Sequence, residues 1–459
     1  MASSRLLFSD SRGVVYDHPE LLAAARSGDE LFAPRERPAP LPGGARLAML
    51  PGRRPVGIDP ESGAPVVLSE VKVGRRRFVP NAVAATLPPG WTRTLLPASE
   101  RHPLALGGDD APILPQWAYT AAALGGDGPV AFAMHTDRRG HWSVETHSTD
   151  DLPARVAERL ASSDNPIWTQ LSRCALEWSC FTAQNTFYLR DEGAIPASSG
   201  CNARCIGCLS EQQEGMPPSS HERIRRAPSA EEMGEVAAEH LARARGRVMV
   251  SFGQGCEGEP TTRWREIAKA IRIARERTAR GSIHVNTNGS LPRALGALFD
   301  AGLDACRISL NSASPDLYDA YYRPIGYGLP DVVRSMRIAK EKGGYVAVNL
   351  LTFPGVTDRE EEAERLCRLV ADVGVDQVQT RSLAIDPDVY MGVARERGGG
   401  GRPIGIRALV AELKRARPGL VIGNFSRAMT ERSRIRGGGT PARREPFGRG
   451  SSSRARSRS

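Results

Sequence analysis

Ser199-Gly200-Cys201-Asn202-Ala203-Arg204-Cys205-Ile206-Gly207-Cys208 places three cysteines in a C-x3-C-x2-C spacing on one short stretch that also holds two glycines. Gly200 suits a tight turn, so the three thiolates can converge on one point. That favours a metal centre over a packed core. An ordinary [4Fe–4S] cluster takes one thiolate more than this loop offers, which leaves one iron open to another ligand. The competing reading is zinc held by the three cysteines and a fourth ligand, Cys256 or His221. The paired CxxC ribbons common in zinc sites are absent from the sequence.

Outward from this loop, strand and helix patterns alternate. The strand candidates are Thr186–Arg190, Arg247–Phe252, Ser282–Asn286, Ala305–Leu310, Tyr345–Leu351 and Asp376–Thr380. Helical patterns lie between them at Ala230–Ala244, Trp264–Thr278, Leu291–Ala301, Asp331–Lys342 and Glu360–Val373, and a last one, Ile406–Arg415, follows. Short strands alternating with helices of about 10–15 residues predict parallel βαβ units. The expected class is α/β: a six-unit (β/α)6 partial TIM-like barrel over residues 186–430, short of a full barrel. In parallel α/β sheets ligands bind beyond the carboxyl ends of the strands, which is where the cysteine loop falls.

Other loops at that end are polar. The second strand runs into Gly253-Gln254-Gly255-Cys256-Glu257-Gly258-Glu259-Pro260, where glycines allow close backbone approach and Pro260 can open a helix. The third ends in Asn286-Thr287-Asn288-Gly289 and the fourth in Arg307-Ile308-Ser309-Leu310-Asn311-Ser312. The fifth contains Asn349, and the sixth ends in Gln377-Val378-Gln379-Thr380-Arg381. Each alone is compatible with a satisfied turn; together they form a polar ring around one mouth, as in a cofactor site.

With these loops in place, the chain resembles the radical SAM superfamily. Cys201, Cys205 and Cys208 match its cluster motif, including the asparagine after the first cysteine. The resemblance implies a [4Fe–4S] cluster on these three residues, with S-adenosylmethionine on the open iron. It further implies reductive cleavage to a 5′-deoxyadenosyl radical that abstracts hydrogen from a substrate. Gly258-Glu259-Pro260 resembles the glycine–glutamate motif that meets the cofactor's amino group, with Glu257 where a glycine is common. Ser309 and Asn311 resemble the residues that hold the ribose, and Arg323 an arginine that meets the cofactor carboxylate. Asn288 and Asn349 are pocket candidates, and Gly207 stands where an aromatic residue is frequent, so the adenine edge would be covered by Ile206 or another loop. An electron donor such as flavodoxin or ferredoxin follows from the same resemblance. The substrate class (peptide, nucleoside or small metabolite) stays open.

Of the other cysteines, Cys174 and Cys180 flank a leucine and a tryptophan and read as core thiols, with an auxiliary cluster or redox pair as the alternative. Cys306 and Cys367 read as core. Cys256, on the mouth side, is the one candidate hydrogen donor.

Residues 1–185 are rich in proline and glycine and predict a separate, mostly β or α+β accessory domain. Its strands are expected at Gly63–Leu68 and Pro129–Met134, and a helix at Asp151–Leu160. Residues 431–459 predict a disordered basic tail of arginine, glycine and serine. That tail holds seven of the chain's ten net positive charges, so the body is nearly balanced. A second class of function, a non-catalytic metal-dependent nucleic-acid-binding protein, would use this tail. No run of about 18 apolar residues occurs, and Met1–Asp10 is too short in apolar residues for a secretory signal, so the expectation is a cytoplasmic protein without membrane partners.

Overall fold

The computed structural model describes residues 4–102, 111–137, 142–254 and 256–429; the expected tail lies outside them. The first part is antiparallel. Strands Arg5–Ser9, Val15–Ala23, Asn81–Thr86 and Thr120–Gly125 form the centre of a ten-stranded sheet, in registers such as Phe8↔Ala82 and Ala84↔Ala121. Four helices follow: Val144–His147, Leu152–Ser162, Pro166–Leu176 and Phe181–Tyr188.

The second part is a parallel sheet whose strands lie in sequence order. They are β1 (Arg190–Ile195), β2 (Arg245–Phe252), β3 (Ser282–Thr287), β4 (Ala305–Leu310), β5 (Tyr345–Thr352), β6 (Gln377–Ser382) and β7 (Val421–Gly423). Helices α1 (Ala230–Arg243), α2 (Trp264–Arg277), α3 (Pro292–Asp300), α4 (Pro315–Tyr322), α5 (Leu329–Glu341), α6 (Glu360–Val373), α7 (Pro387–Ala394) and α8 (Ile406–Ala416) fill the crossovers. Among the described residues β1 and β7 do not pair with each other, so the curled sheet is a partial barrel.

Side-chain alternation sorts the two faces. Cys306, Ile308, Leu310, Val346, Val348, Leu350 and Val378 pack into one large core with the helices. The intervening residues, Arg307, Ser309, Asn349, Gln379 and Arg381, share the opposite face through the registers Ser309↔Asn349↔Gln379 and Leu351↔Arg381. The crossovers are locally well specified. Ser229 and Glu232 close a reciprocal cap on α1, at 3.1 and 2.7 Å, and Gly374 ends α6 with φ +74°.

Three expectations change. The first strand begins at Arg190, not Thr186, because Phe181–Tyr188 is helical and is stopped by Leu189 at φ +51°. Its aromatic, strand-like residues are used instead for helix packing: Phe187 meets the Trp168 ring at 5.5 Å. The sheet also has a strand beyond the sixth. β7 is only three residues long, too short to show a period, and pairs Gln377↔Val421 and Gln379↔Gly423. In the first part, the Pro129–Met134 run is two strands, Gly128–Ala131 and Ala133–His135.

The antiparallel part is joined to the carboxyl ends of the barrel strands. Buried Arg53 donates to Asp386 at 2.8 Å beyond β6, and Arg26 to Asp388 at 2.6 Å. Thr92 meets Thr380 at 2.8 Å, Arg93 donates to the Leu383 carbonyl at 2.8 Å, and the Gly28 N–H to the Pro354 carbonyl at 2.9 Å. Gln116 reaches across to the Cys208 carbonyl at 2.9 Å. No helix among the described residues is long and apolar enough to cross a membrane.

Candidate active site

The cysteine loop leaves β1 and is held on two sides. On one, the Arg204 and Ile206 N–H groups donate to the carbonyls of Tyr322 and Tyr321 at 3.0 and 3.1 Å, and Ile325 N–H to the Asn202 carbonyl at 2.9 Å. On the other, the loop after β2 is laced to it. Gly258 N–H donates to the Ser198 carbonyl at 2.7 Å and Glu259 N–H to the Gly200 carbonyl at 2.8 Å. A Cβ on Gly258 would sit 1.9 Å from the Gly200 carbonyl oxygen, so only glycine allows this approach. Gly200 itself has no such demand: nothing lies within 4 Å of its Cβ position and its φ is not positive. The steric constraint expected at Gly200 therefore falls on its partner.

Glu257 explains the departure from the usual glycine. Its buried carboxylate accepts from Ala197 and Ser198 N–H, each at 2.8 Å, and from Gly253 and Gln254 N–H at 2.8 and 3.2 Å. One side chain thus ties the loops after β1 and β2 together. Burial pushes its carboxyl up to about 8, against the pull of the backbone donors.

Glu259 is also buried. Its Oε1 accepts from Thr261 N–H at 3.0 Å and from the Thr261 and Thr287 hydroxyls at 2.5 Å; among the described residues its Oε2 accepts from Asn288 N–H alone, at 2.7 Å. It thereby caps the turn that Pro260 opens, and keeps acceptor capacity on Oε2. Burial raises its pKa. Asn288 in turn donates to the Asn202 side chain at 2.9 Å, which joins Glu259 to the cysteine loop.

Cys201, Cys205 and Cys208 are half-buried free thiols. Burial pushes Cys201 up to about 11, with Glu259 adding and Arg223 opposing; burial and the other two cysteines push Cys205 up further. Arg223 lies 3.8 Å from the Cys208 sulfur and 3.1 Å from Ser210. Among the described residues no three His, Cys, Asp or Glu close around a single metal ion. His221, a possible zinc ligand on sequence grounds, packs edge-on against Trp178 at 5.4 Å. Three free thiols on one loop beside a guanidinium suit a centre that takes up thiolate charge.

The other candidates separate into two groups. Ser309 and Asn349 stand side by side on the concave face. Asn311 is fully buried beyond β4; its amide donates to the Leu317 carbonyl at 3.3 Å and Tyr390 at 3.4 Å, and among the described residues its oxygen has no partner. Arg323 and Cys256 lie apart. Arg323 caps α4 at φ +46° and donates outward to Gln213 at 2.7 Å, so its backbone rather than its guanidinium adjoins the cysteine loop. The Cys256 thiol is buried against Cys174 of the Pro166–Leu176 helix, which with burial raises its pKa. At Gly207, where the resemblance leads one to expect an aromatic residue, the Tyr321 hydroxyl of α4 would lie 2.7 Å from a Cβ. Glu257, Arg223, Tyr321 and Gln116 escaped the sequence reading. Only Glu257 left a signal there, as the odd residue within a glycine-rich motif.

Residues 195–367 match the sequence profile of the radical SAM superfamily. The chain is 30% identical over 180 residues to a GTP 3′,8-cyclase of Heliobacterium modesticaldum and 30% identical over 177 residues to one of Petrotoga mobilis. The matched segments are 39% and 38% of this chain, and the chain spans about half the length of these curated relatives. Among solved structures it is similar to Streptococcus suis SuiB bound to S-adenosylmethionine, at 16% identity and a TM-score of 0.36, over 59% of this chain and 60% of that one.

Proposed function

We propose that this chain is a radical SAM enzyme. Cys201, Cys205 and Cys208 would hold a [4Fe–4S] cluster, and the loops after β2 to β5 would bind S-adenosylmethionine. Together these groups supply one-electron cleavage of the sulfonium and hydrogen abstraction from a substrate. The protein's own part is placement. Glu259 Oε2, with a single hydrogen bond, would accept from the cofactor's ammonium. Gly258 would offer bare backbone beside it, and Asn288 would fix the loop. Ser309 and Asn311 would meet the ribose, and Asn349 would line the pocket. Arg323 would serve the carboxylate only after leaving Gln213. Cys256, turned toward Cys174, serves packing in this reading.

The observation that carries the proposal is the lacing of the three-cysteine loop to Glu257-Gly258-Glu259, which puts thiols and an ammonium acceptor on adjoining loops. Residues 1–185 would act as an accessory domain and 186–430 as the catalytic unit, with a cytoplasmic reductant such as flavodoxin or ferredoxin as partner. The test is anaerobic reconstitution with iron and sulfide, followed by reduction with S-adenosylmethionine. Release of 5′-deoxyadenosine is expected, with loss of bound iron in Cys205→Ala. Stoichiometric zinc in a colourless protein would overturn the reading.

A further inference from the structure

The concave face holds more positive charge than the cofactor reading uses. Arg307 on β4 donates to Gln379 Oε1 and to Ser426 Oγ, both at 3.1 Å. Among the described residues Arg381 on β6 has one long hydrogen bond, 3.5 Å to the same Gln379 oxygen. Among the described residues neither arginine forms a salt bridge. The acid that shares this interior is Glu192 on β1, and its Oε1 already accepts from Ser251 at 2.6 Å, Gln254 at 2.9 Å and Ser426 at 3.0 Å. Asp137, also close to Arg381, is engaged by Arg427 at 3.4 Å and by the N–H groups of Asn424 and Phe425. His284, pulled down to about 4 by burial, is neutral near pH 7.

The two guanidiniums also disfavour each other: burial and then Arg307 bring Arg381 down to about 10. Beside them, among the described residues, Asn286 has both amide ends buried without a hydrogen-bond partner, and the Asn349 side-chain oxygen is buried without one. Buried polar groups in folded proteins are ordinarily paired. Arginine forks match the geometry of carboxylates and phosphates.

We propose that Arg307 and Arg381 bind an oxyanion of the substrate, a carboxylate or a phosphate, inside the barrel. Asn286 and Asn349 take up neighbouring amide, hydroxyl or ring-nitrogen groups of the same molecule. This rests on the reading of the chain as a radical SAM enzyme only in calling the bound molecule the substrate. The oxyanion offsets the surplus charge, and Gln379, which already orients both guanidiniums, sets the fork.

The test uses the full chain, reconstituted anaerobically, in low-chloride buffer. Inorganic phosphate and acetate are titrated by calorimetry in separate arms, which tells a phosphate site from a carboxylate site. Saturable binding of one probe is expected. Arg381→Gln is expected to weaken it at least tenfold, and Arg381→Lys to restore part of the loss. Because Arg381 has a single long contact, its substitution is not expected to unfold the protein, and the melting temperature checks this. S-adenosylmethionine affinity is measured on the same samples. Equal probe binding by wild type and Arg381→Gln, or no saturable binding of either probe to wild type, overturns the proposal. So does a loss in cofactor affinity as large as the loss for the probe, since the arginine would then serve the cofactor. Arg381-dependent probe binding in a protein that binds no S-adenosylmethionine leaves the oxyanion site standing and removes the radical SAM reading.

Discussion

The two halves of the barrel mouth are built on opposite principles. On the β1–β3 side the polar groups of the loops are committed, and Asn286 within β3 is the exception, with both amide ends unpaired among the described residues. Glu257 takes four backbone N–H groups, Glu259 takes four donors, and Asn288 joins Asn202. On the β4–β6 side capacity is left over: among the described residues the Asn311 and Asn349 oxygens lack partners and Arg381 makes one long hydrogen bond. A pre-organised half suits a fixed cluster and cofactor, because donors that are already oriented need no rearrangement when the ligand arrives. A half with unmet hydrogen bonds suits groups that are paired only when a ligand arrives, the cofactor's ribose at Asn311 and the substrate at Arg381.

Substitutions can break this contrast. The largest effect is expected at Gly258→Ala, whose new Cβ meets backbone at 1.9 Å. Its cost should exceed the ~1–3 kcal/mol of ordinary overpacking, read by chemical denaturation together with loss of bound iron. Glu257→Ala strands N–H groups from two loops. At about 1–3 kcal/mol for each donor left dry, a loss of at least ~2 kcal/mol is expected on the same denaturation curves. A cost below about 0.5 kcal/mol for either variant would mean that this half is not held as described.

Acid should act on the same side. Burial draws His284 of β3 and His240, which packs against Gly193 of β1, down to about 4. A folded-state pKa below the unfolded one gives stability that is complete above about 6.5 and lost as the pH falls toward 4. The slope is about 1.4 kcal/mol per pH unit for each ring. Thermal melts between pH 7 and 4.5 test this, and His284→Gln should flatten part of the slope. The smallest effect is expected on the other half. Asn349→Ala removes an oxygen that has no partner, so stability should shift by no more than ~0.5 kcal/mol. A loss near 2 kcal/mol would show that Asn349 is structural and would dissolve the contrast.

Much of this was legible in the sequence. The three-cysteine spacing, the helices of the crossovers and the polar strand ends are local patterns, and local patterns survive in a one-dimensional reading. What was not legible depends on contacts between distant residues. Thr186–Arg190 looked like a strand, because its aromatic residues favour strands until a partner such as Trp168 claims Phe187 for the end of a helix. β7 is defined by its pairing with β6 and not by any period of its own. Glu257 looked like a flaw in a glycine motif, and only the approach of Ala197 and Ser198 shows it to be a clamp. The reach of Gln116 to the cysteine loop, 92 residues away, leaves no trace in the sequence.

The account turns on whether the laced cysteine loop holds a cluster that works on S-adenosylmethionine. The most direct measurement is made on the full chain, reconstituted under anaerobic conditions, reduced, and mixed with S-adenosylmethionine. Iron and 5′-deoxyadenosine are counted in the same sample. About four irons per chain, with 5′-deoxyadenosine released by wild type and abolished together with the iron in Cys205→Ala, is the predicted result. A chain that binds stoichiometric zinc, or that holds iron yet releases no 5′-deoxyadenosine, would contradict it.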